Sequence, residues 1–193
     1  MCKRILSANV LIQEKMHAME FSPSVNILCG HVAEEMLLTL AGIFGSTPPK
    51  AFNAEIKWGE GVTLLVYGED RRIFVNNIKK ERGNSAQMIK AFHKYRFLNF
   101  RNKTHVFDGS QLPAGTSGAS DLLLQKLEDT LKQKDDCPLF ICNFLERLDE
   151  AVALQPILEA LTATGRQIFI AVPHYYNITA LEKMPHDTTI HTL

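Results

Sequence analysis

The chain has 193 residues, of which 46% are hydrophobic and 22% are charged, and its formal net charge is zero. These values are typical of a soluble globular protein that can build one domain with a sizeable core. No apolar run approaches the ~20 residues of a membrane span, and polar residues interrupt the run after the basic start too early for a signal peptide. We therefore expect a cytoplasmic protein whose four cysteines are reduced packing residues.

The first predicted elements are strands. Residues 3–12 and 16–21 have the pattern of two paired strands, and 25–29, which is apolar except for Asn26, has the pattern of a short buried strand. A helix is predicted over 32–44, where Gly45 and two prolines shortly after it end the helical pattern.

The middle of the chain predicts a change of architecture. Residues 54–78 contain three short β-rich pieces separated by glycine-containing turns, which indicates an antiparallel meander. A helix is expected over 84–98. Residues 101–118 are rich in Gly, Ser, Thr and Pro and are predicted to form a loop.

The last part of the chain alternates helices and strands. Residues 119–134 form an amphipathic helical pattern, 139–143 a buried strand, 151–163 a helix and 168–172 another strand. The final dozen residues suggest a short strand or tail. Unbroken apolar strands alternating with helices predict an α/β fold with a mostly parallel sheet covered by helices on both faces.

The segment that follows the strand at 25–29 has the frame of a phosphate-binding loop. Such a loop reads G-x-x-x-x-G-K-[ST]; its glycines admit phosphate, its lysine neutralises charge and its hydroxyl binds Mg²⁺. Gly30 matches the first glycine. Glu35, Met36 and Leu37 stand where the second glycine, the lysine and the hydroxyl belong. Glu34 and Glu35 would repel phosphate, so the frame predicts a nucleotide-hydrolase fold without the nucleotide chemistry.

The charge of the chain is unevenly distributed. Residues 71–105 carry ten basic side chains and one acidic side chain. The basic ones are Arg71, Arg72, Lys79, Lys80, Arg82, Lys90, Lys94, Arg96, Arg101 and Lys103. Aromatic residues are interleaved among them, which suits a nucleic acid or an acidic protein partner. The alternative is a solvated helix face balanced by the acidic remainder of the chain.

With these elements placed, residues 3–180 resemble the head of an ABC-type ATPase of the RecF/SMC kind. The opening MEFSPSVNILCG is similar to the strand and turn that lead into the family's phosphate loop, and the meander at 54–78 is similar to its β-subdomain. The segment AGTSGASDLLLQKL resembles the signature motif and its helix. Ser117 and Gly118 match that motif, whereas Ala119 replaces its second glycine.

The resemblance extends to the segments that carry the family's catalytic acids. In PLFICNFLERLDE, Asp149 fits the end of the family's loop, which places Cys142 at the Mg²⁺-organising aspartate and Asn143 at the catalytic glutamate. A shift by one residue would place Asn143 and Phe144 there instead. His174, in GRQIFIAVPHYYN, is similar to the family's switch histidine.

The resemblance implies a single head-like domain over 1–193, with an antiparallel β-subdomain at 54–78 and a basic helical and loop segment at 79–118. Because neither register supplies an acid, we expect a catalytically degenerate head that acts as an interaction or regulatory subunit, paired with itself or with an intact head. One alternative is a nucleotide-binding ATPase that uses Ser117, Asp149 and His174. Another is a nucleic-acid-associated module built on 71–105. No cofactor is expected, and the scattered histidines predict no metal site.

Overall fold

Two five-stranded sheets form the framework of this computed structural model, which describes residues 4–42, 53–59, 62–67, 72–77, 106–111, 119–132, 138–148, 154–172 and 188–193. The strands in chain order are β1 (Ile5–Ile12), β2 (Lys15–Glu20), β3 (Val25–Cys29), β4 (Asn53–Trp58), β5 (Val62–Tyr67), β6 (Arg72–Asn77), β7 (Val106–Asp108), β8 (Leu139–Cys142), β9 (Ile168–Val172) and β10 (Thr188–Thr192). The helices are α1 (Ala33–Gly42), α2 (Ala119–Leu131) and α3 (Leu154–Ala163).

The first sheet is antiparallel and has the strand order β2-β1-β4-β5-β6. The predicted pairing of the first two strands is confirmed, with Leu11 opposite Met16, and so is the meander β4-β5-β6. The meander is part of a larger sheet than expected, because β1 also pairs with β4. A two-residue turn joins β1 to β2, and both of its residues, Gln13 and Glu14, have positive φ angles of 49° and 63°.

The second sheet is parallel and has the strand order β10-β3-β9-β8-β7. The three strands predicted at 25–29, 139–143 and 168–172 are confirmed as members of this sheet, although β8 ends one residue early. The predicted loop over 101–118 is wrong for 106–111, which form β7 and a short 3-10 turn. A strand of three residues is too short to show an alternation of apolar and polar residues. The polar residues around β7 therefore gave the whole segment the pattern of a loop.

Successive side chains along the parallel strands lie on opposite faces of the sheet and pack into two separate apolar clusters. On one face Leu28, Phe140 and Phe169 are fully buried against α1, and the rings of the two phenylalanines stack 5.2 Å apart. The inner face of the antiparallel sheet covers the other side of α1, through residues such as Val10 and Ile56. Helix α1 therefore lies between the two sheets.

The opposite face of the parallel sheet packs on the other two helices. Ile27, Ile141 and Ile170 lie in one apolar cluster with Leu127 of α2 and Leu161 of α3. The predicted arrangement of helices on both faces of a mostly parallel sheet is thus confirmed. None of the helices in the described ranges is long and apolar enough to cross a membrane.

One sequence prediction falls partly, and another wholly, outside the described residues. Cys29 and Cys142 are buried thiols that form no disulfide, as expected, whereas Cys2 and Cys137 lie outside the described ranges. The helix expected over 84–98 also lies outside them.

Candidate functional site at the carboxyl edge of the parallel sheet

The carboxyl ends of the parallel strands bring together residues that are far apart in sequence. Gly30 follows β3 and lies beside the end of β9, because its N–H donates a hydrogen bond to the carbonyl oxygen of Val172 at 3.2 Å. Asn143 follows β8, and Asp108 ends β7 beside it. This edge is where open α/β sheets bind their ligands, so it is the candidate site.

The loop between β3 and α1 is short and tight. Helix α1 begins at Ala33, and the N–H of Ala33 turns back to the carbonyl oxygen of Gly30 at 3.4 Å. Met36 and Leu37, at the positions of a phosphate-loop lysine and hydroxyl, are both 0% exposed and belong to the core between the sheets. Glu35 is half-buried in the first turn of α1, where the helix dipole favours a carboxylate.

Gly30 is in close contact with the main chain at the end of β10. Its φ angle is 143°, and a Cβ atom built on it would collide with the carbonyl oxygen of Leu193. The N–H of Leu193 donates to the carbonyl oxygen of Cys29 at 2.7 Å, one residue beyond the last β3–β10 pair. The main chain of Leu193 therefore occupies the space next to Gly30, and sequence reasoning gave no sign of it.

The end of β8 carries a polar pair. The Asn143 Nδ2 donates to Asp108 Oδ1 at 3.0 Å, and the N–H of Ser110 donates to the same oxygen at 2.9 Å. Burial raises the pKa of Asp108, but the hydrogen bonds from Asn143 and Ser110 and the positive charge of Arg147 outweigh it and hold this pKa below its usual range. Asp108 is therefore ionised at neutral pH.

The conformation of Asn143 is fixed by its surroundings. Its φ angle is 51°, in the left-handed region that asparagine tolerates better than most residues. Its carbonyl oxygen lies so close to Gly109 that a Cβ atom there would collide with it. Next to it, Cys142 is 2% exposed, and its Sγ lies 3.9 Å from the carbonyl oxygen of Phe107. Cys142 is thus part of the core, and Asn143 is the residue of the pair that reaches the edge.

A second polar network lies near the amino end of β3. Asn26 is fully buried; its Oδ1 accepts from the N–H of Ser22 at 2.8 Å, and its Nδ2 donates to the Ser22 carbonyl oxygen at 3.0 Å. These bonds explain the serine and the asparagine of the segment that leads into β3. The His191 Nε2 lies 3.3 Å from Asn26 Oδ1, within hydrogen-bonding distance. Burial lowers the pKa of His191.

Several predicted site residues lie outside the described ranges. They are Ser117, Gly118, Asp149 and His174 of the nucleotide-site positions and Arg71, Lys94, Arg96, Arg101 and Lys103 of the basic segment. Arg72 is the first residue of β6, where its main chain pairs with Tyr67. The roles of all these predicted residues in a site therefore stay predictions.

Sequence reasoning found Asn143 but missed its partner Asp108. The only available signal was an aspartate after the apolar pair Val106-Phe107, within a segment predicted to be a loop. Within the described residues, no three His, Cys, Asp or Glu side chains are close enough together to hold a metal ion.

The comparisons with known proteins bear on the fold. No protein-family model matches the chain, and no curated protein matches it either. Among solved structures, the chain is similar to the SMC head domain from Thermotoga maritima, with a TM-score of 0.64 and 11% sequence identity over 98% of this chain and 94% of that one. At this identity the likeness establishes the fold alone: an α/β fold of the SMC-head, P-loop NTPase-like type.

Proposed function

We propose that the chain is a catalytically degenerate head of the SMC-like fold, a single domain over 1–193 that acts as an interaction or regulatory partner and does not hydrolyse nucleotide. The observation that carries the proposal is the burial of Met36. A phosphate-loop lysine must reach the β- and γ-phosphates from the first turn of the helix. Met36 has no charge and is enclosed in the core between the sheets.

The residues at the end of β8 support the same proposal. Mg²⁺ prefers carboxylate oxygens and water, whereas Cys142 offers a buried thiol and Asn143 an amide. A side-chain amide has no basic group, so Asn143, whose Nδ2 donates to Asp108, cannot serve as the base that activates a water molecule. These residues do not fit Mg²⁺-ATP.

Calorimetric titration of the full chain with Mg²⁺-ATP tests the loss of nucleotide chemistry, with an intact SMC-type head as the positive control. We expect no heat of binding and no phosphate release above the background. Micromolar affinity, or turnover that Asp149→Ala abolishes, would overturn the proposal in favour of an ATPase with altered motifs.

The proposed partner is a second head, either another copy of this chain or an intact ATPase head. The SMC-like fold supports this choice, since heads of that fold often self-associate. Sedimentation velocity tests it, first with the chain alone over a range of concentrations and then with the intact head and Mg²⁺-ATP. A monomer under all these conditions would contradict the proposed partner.

A nucleic-acid-associated role is the second candidate, and the basic segment 71–105 favours it. If this segment binds DNA or RNA, affinity should fall steeply with salt because each neutralised phosphate releases counterions. Arg96→Glu, Arg101→Glu and Lys103→Glu together should weaken binding. Lys57→Glu, Lys126→Glu and Lys132→Glu form a control with the same charge change at exposed lysines outside the segment. No retardation of DNA or RNA at low salt would exclude this role.

A further inference from the structure

The side chain of His191 links the outermost strand of the parallel sheet to the buried polar network beside it. Among the described strands, β10 pairs only with β3. The half-buried ring of His191 places its Nε2 3.3 Å from Asn26 Oδ1 and meets the ring of Phe21 edge-on, with the ring centroids 5.2 Å apart. His191 is therefore part of what holds β10 against β3.

The contact with His191 is the outer link of that network. The Ser22 carbonyl oxygen accepts from Asn26 Nδ2 at 3.0 Å and from Gln167 Nε2 at 2.9 Å. Both of these bonds are shorter than the 3.3 Å contact between Asn26 and His191. Asn26 and Gln167 are fully buried or nearly so, whereas His191 is half-buried on a strand with one neighbour. The network should therefore open at His191 before it opens at Ser22.

No charge in the described part of the chain compensates a protonated His191. β3 and residues 21–24 before it contain one titratable side chain, the buried thiol of Cys29. Helix α1, which packs on the parallel sheet, has Glu34 and Glu35 in its first turn. Neither carboxylate affects His191, because burial is the one cause that lowers its pKa.

Two opposing effects decide whether the paired strand tolerates a protonated ring. A charged ring would still donate to Asn26 Oδ1, and a charged donor makes a stronger hydrogen bond. This oxygen already accepts from the N–H of Ser22 at 2.8 Å, and the contact with His191 is long, so the gain is small. The other neighbour is the uncharged ring of Phe21. The cost of taking the charge out of water is therefore the larger effect, and the paired strand favours a neutral His191.

We propose that protonation of His191 releases β10 from β3, which makes the edge strand of the parallel sheet sensitive to pH. In the open state the ring lies in water and titrates at about pH 6.5. Opening is therefore coupled to the uptake of a proton, and the open population rises as the pH falls below that value. The inference goes beyond the proposed function, since it concerns the pairing of one strand and requires neither a partner nor a nucleotide.

Hydrogen exchange at two amides of the full chain, followed by NMR, tests the release. The Leu193 N–H donates to the carbonyl oxygen of Cys29 and reports on β10, whereas the Ile168 N–H donates to that of Ser24 and reports on β9. After correction for the intrinsic pH dependence of exchange, we expect Leu193 to lose protection relative to Ile168 between about pH 7.5 and 5.5. The loss should be about tenfold for each pKa unit that separates the open from the paired state. Protection that falls equally at both amides, or at neither, would overturn the proposal.

The variant His191→Gln removes the titratable group from β10. We expect the ratio of Leu193 to Ile168 protection to become independent of pH in this variant. His17→Gln is the matched control, because burial also lowers the pKa of His17, which lies on β2 in the other sheet. It should leave the pH dependence of the ratio in place. A pH dependence that survives His191→Gln, or that His17→Gln removes equally, would overturn the proposal.

An NMR titration of the His191 ring in the wild type decides the question if His191→Gln does not fold. We expect the ring to titrate below the ordinary value of about 6.5, and the loss of Leu193 protection to begin near that value. A ring that titrates at or above it would overturn the proposal. Calorimetry with Mg²⁺-ATP tests the proposed function separately, so the two failures are distinguishable.

Discussion

The side-chain amide of Gln167 binds both main-chain polar groups of Ile5. Its Oε1 accepts from the Ile5 N–H at 2.7 Å, and its Nε2 donates to the Ile5 carbonyl oxygen at 2.8 Å. The same Nε2 also donates to the carbonyl oxygen of Ser22 at 2.9 Å. Gln167 is 1% exposed and Ile5 is 0% exposed, so no water replaces these bonds. The side chain thus bonds to Ile5 as the peptide group of a neighbouring strand would, and it links the antiparallel sheet to the start of β9.

Replacing this amide should destabilise the whole fold. Gln167→Ala leaves a buried N–H and a buried carbonyl of Ile5 without this partner, and each such loss costs about 1–3 kcal/mol. We expect the free energy of unfolding, measured with urea, to fall by at least the cost of one such loss, about 1–3 kcal/mol. Gln155→Ala is the control, because Gln155 is exposed and, among the described residues, its side chain bonds to Glu159 in the same helix. Equal losses in the two variants would show that the bonds to Ile5 contribute nothing.

Local patterns predicted the parallel strands well because their signal is contained in a few residues. β3 and β9 are each five residues long and buried throughout, and short, mostly apolar runs indicate such strands directly. The bond between Gln167 and Ile5 joins residues 162 positions apart, so no local pattern encodes it. The turn between β1 and β2 has left-handed residues without the usual glycine or asparagine, and composition gave no sign of it either.

The candidate site was predictable only in part, for the same reason. The family resemblance, counted back from Asp149, placed Asn143 at the site in both of the registers that it left open. Its partner Asp108 lies 35 residues earlier, on a strand of three residues within a predicted loop. The contact between Gly30 and Leu193 depends on β10 lying beside β3. Predicting it requires the order of the strands in the sheet, and the positions of the strands in the sequence do not give that order.

The bond between Asn143 and Asp108 should appear in the acid limb of the stability curve. The folded pKa of Asp108 is lowered, so the folded state binds fewer protons than the unfolded state and stability falls as the pH falls. The contribution of the Asn143–Asp108 bond to the free energy of unfolding is fully present above the pKa of Asp108 in the unfolded state, about 3.9. It is lost as the pH falls through the lower pKa of the folded state. Asn143→Gly keeps the positive φ and removes the amide. We expect it to cost about 1–2 kcal/mol at pH 7 and to flatten the curve below about pH 4.

An Asp108→Asn background provides the control for this prediction. Without the carboxylate, Asn143→Gly should no longer change the pH dependence of the free energy of unfolding between pH 2 and 5, a range set by the ordinary pKa of about 3.9. If Asn143→Gly flattens the acid limb equally in both backgrounds, another group is responsible and the pair has no role in it.

His191 should reduce stability as the pH falls below the range where an ordinary histidine titrates. Burial lowers its folded pKa, so the unfolded state takes up a proton first, at about pH 6.5, and stability is lost from there down to the folded pKa. His191→Gln should reduce the slope of the free energy of unfolding between about pH 6.5 and 5. It should not remove it, because burial and the charge of Lys15 also lower the pKa of His17.

The pH effect of His191 is measured by comparing His191→Gln with the wild type. Chemical denaturation at several pH values, with each variant normalised at pH 8, measures the effect. A slope that His191→Gln leaves unchanged would contradict a lowered pKa of the half-buried His191.

The burial of Met36 predicts that a phosphate-loop lysine cannot simply be restored. Met36→Lys would place an ammonium group in the apolar core between the sheets, where a pKa shift of up to 3–5 units corresponds to roughly 4–7 kcal/mol. This is comparable with the whole stability of a typical domain. We expect the variant to be largely unfolded by circular dichroism and to bind no ATP. Met16→Lys is the matched control, because Met16 is 58% exposed on β2 and should accept the charge at little cost. A stable Met36→Lys protein that gains Mg²⁺-ATP binding would show that a side chain at this position can reach the carboxyl edge of the sheet. The loss of nucleotide chemistry would then result from a single substitution and not from the packing of α1.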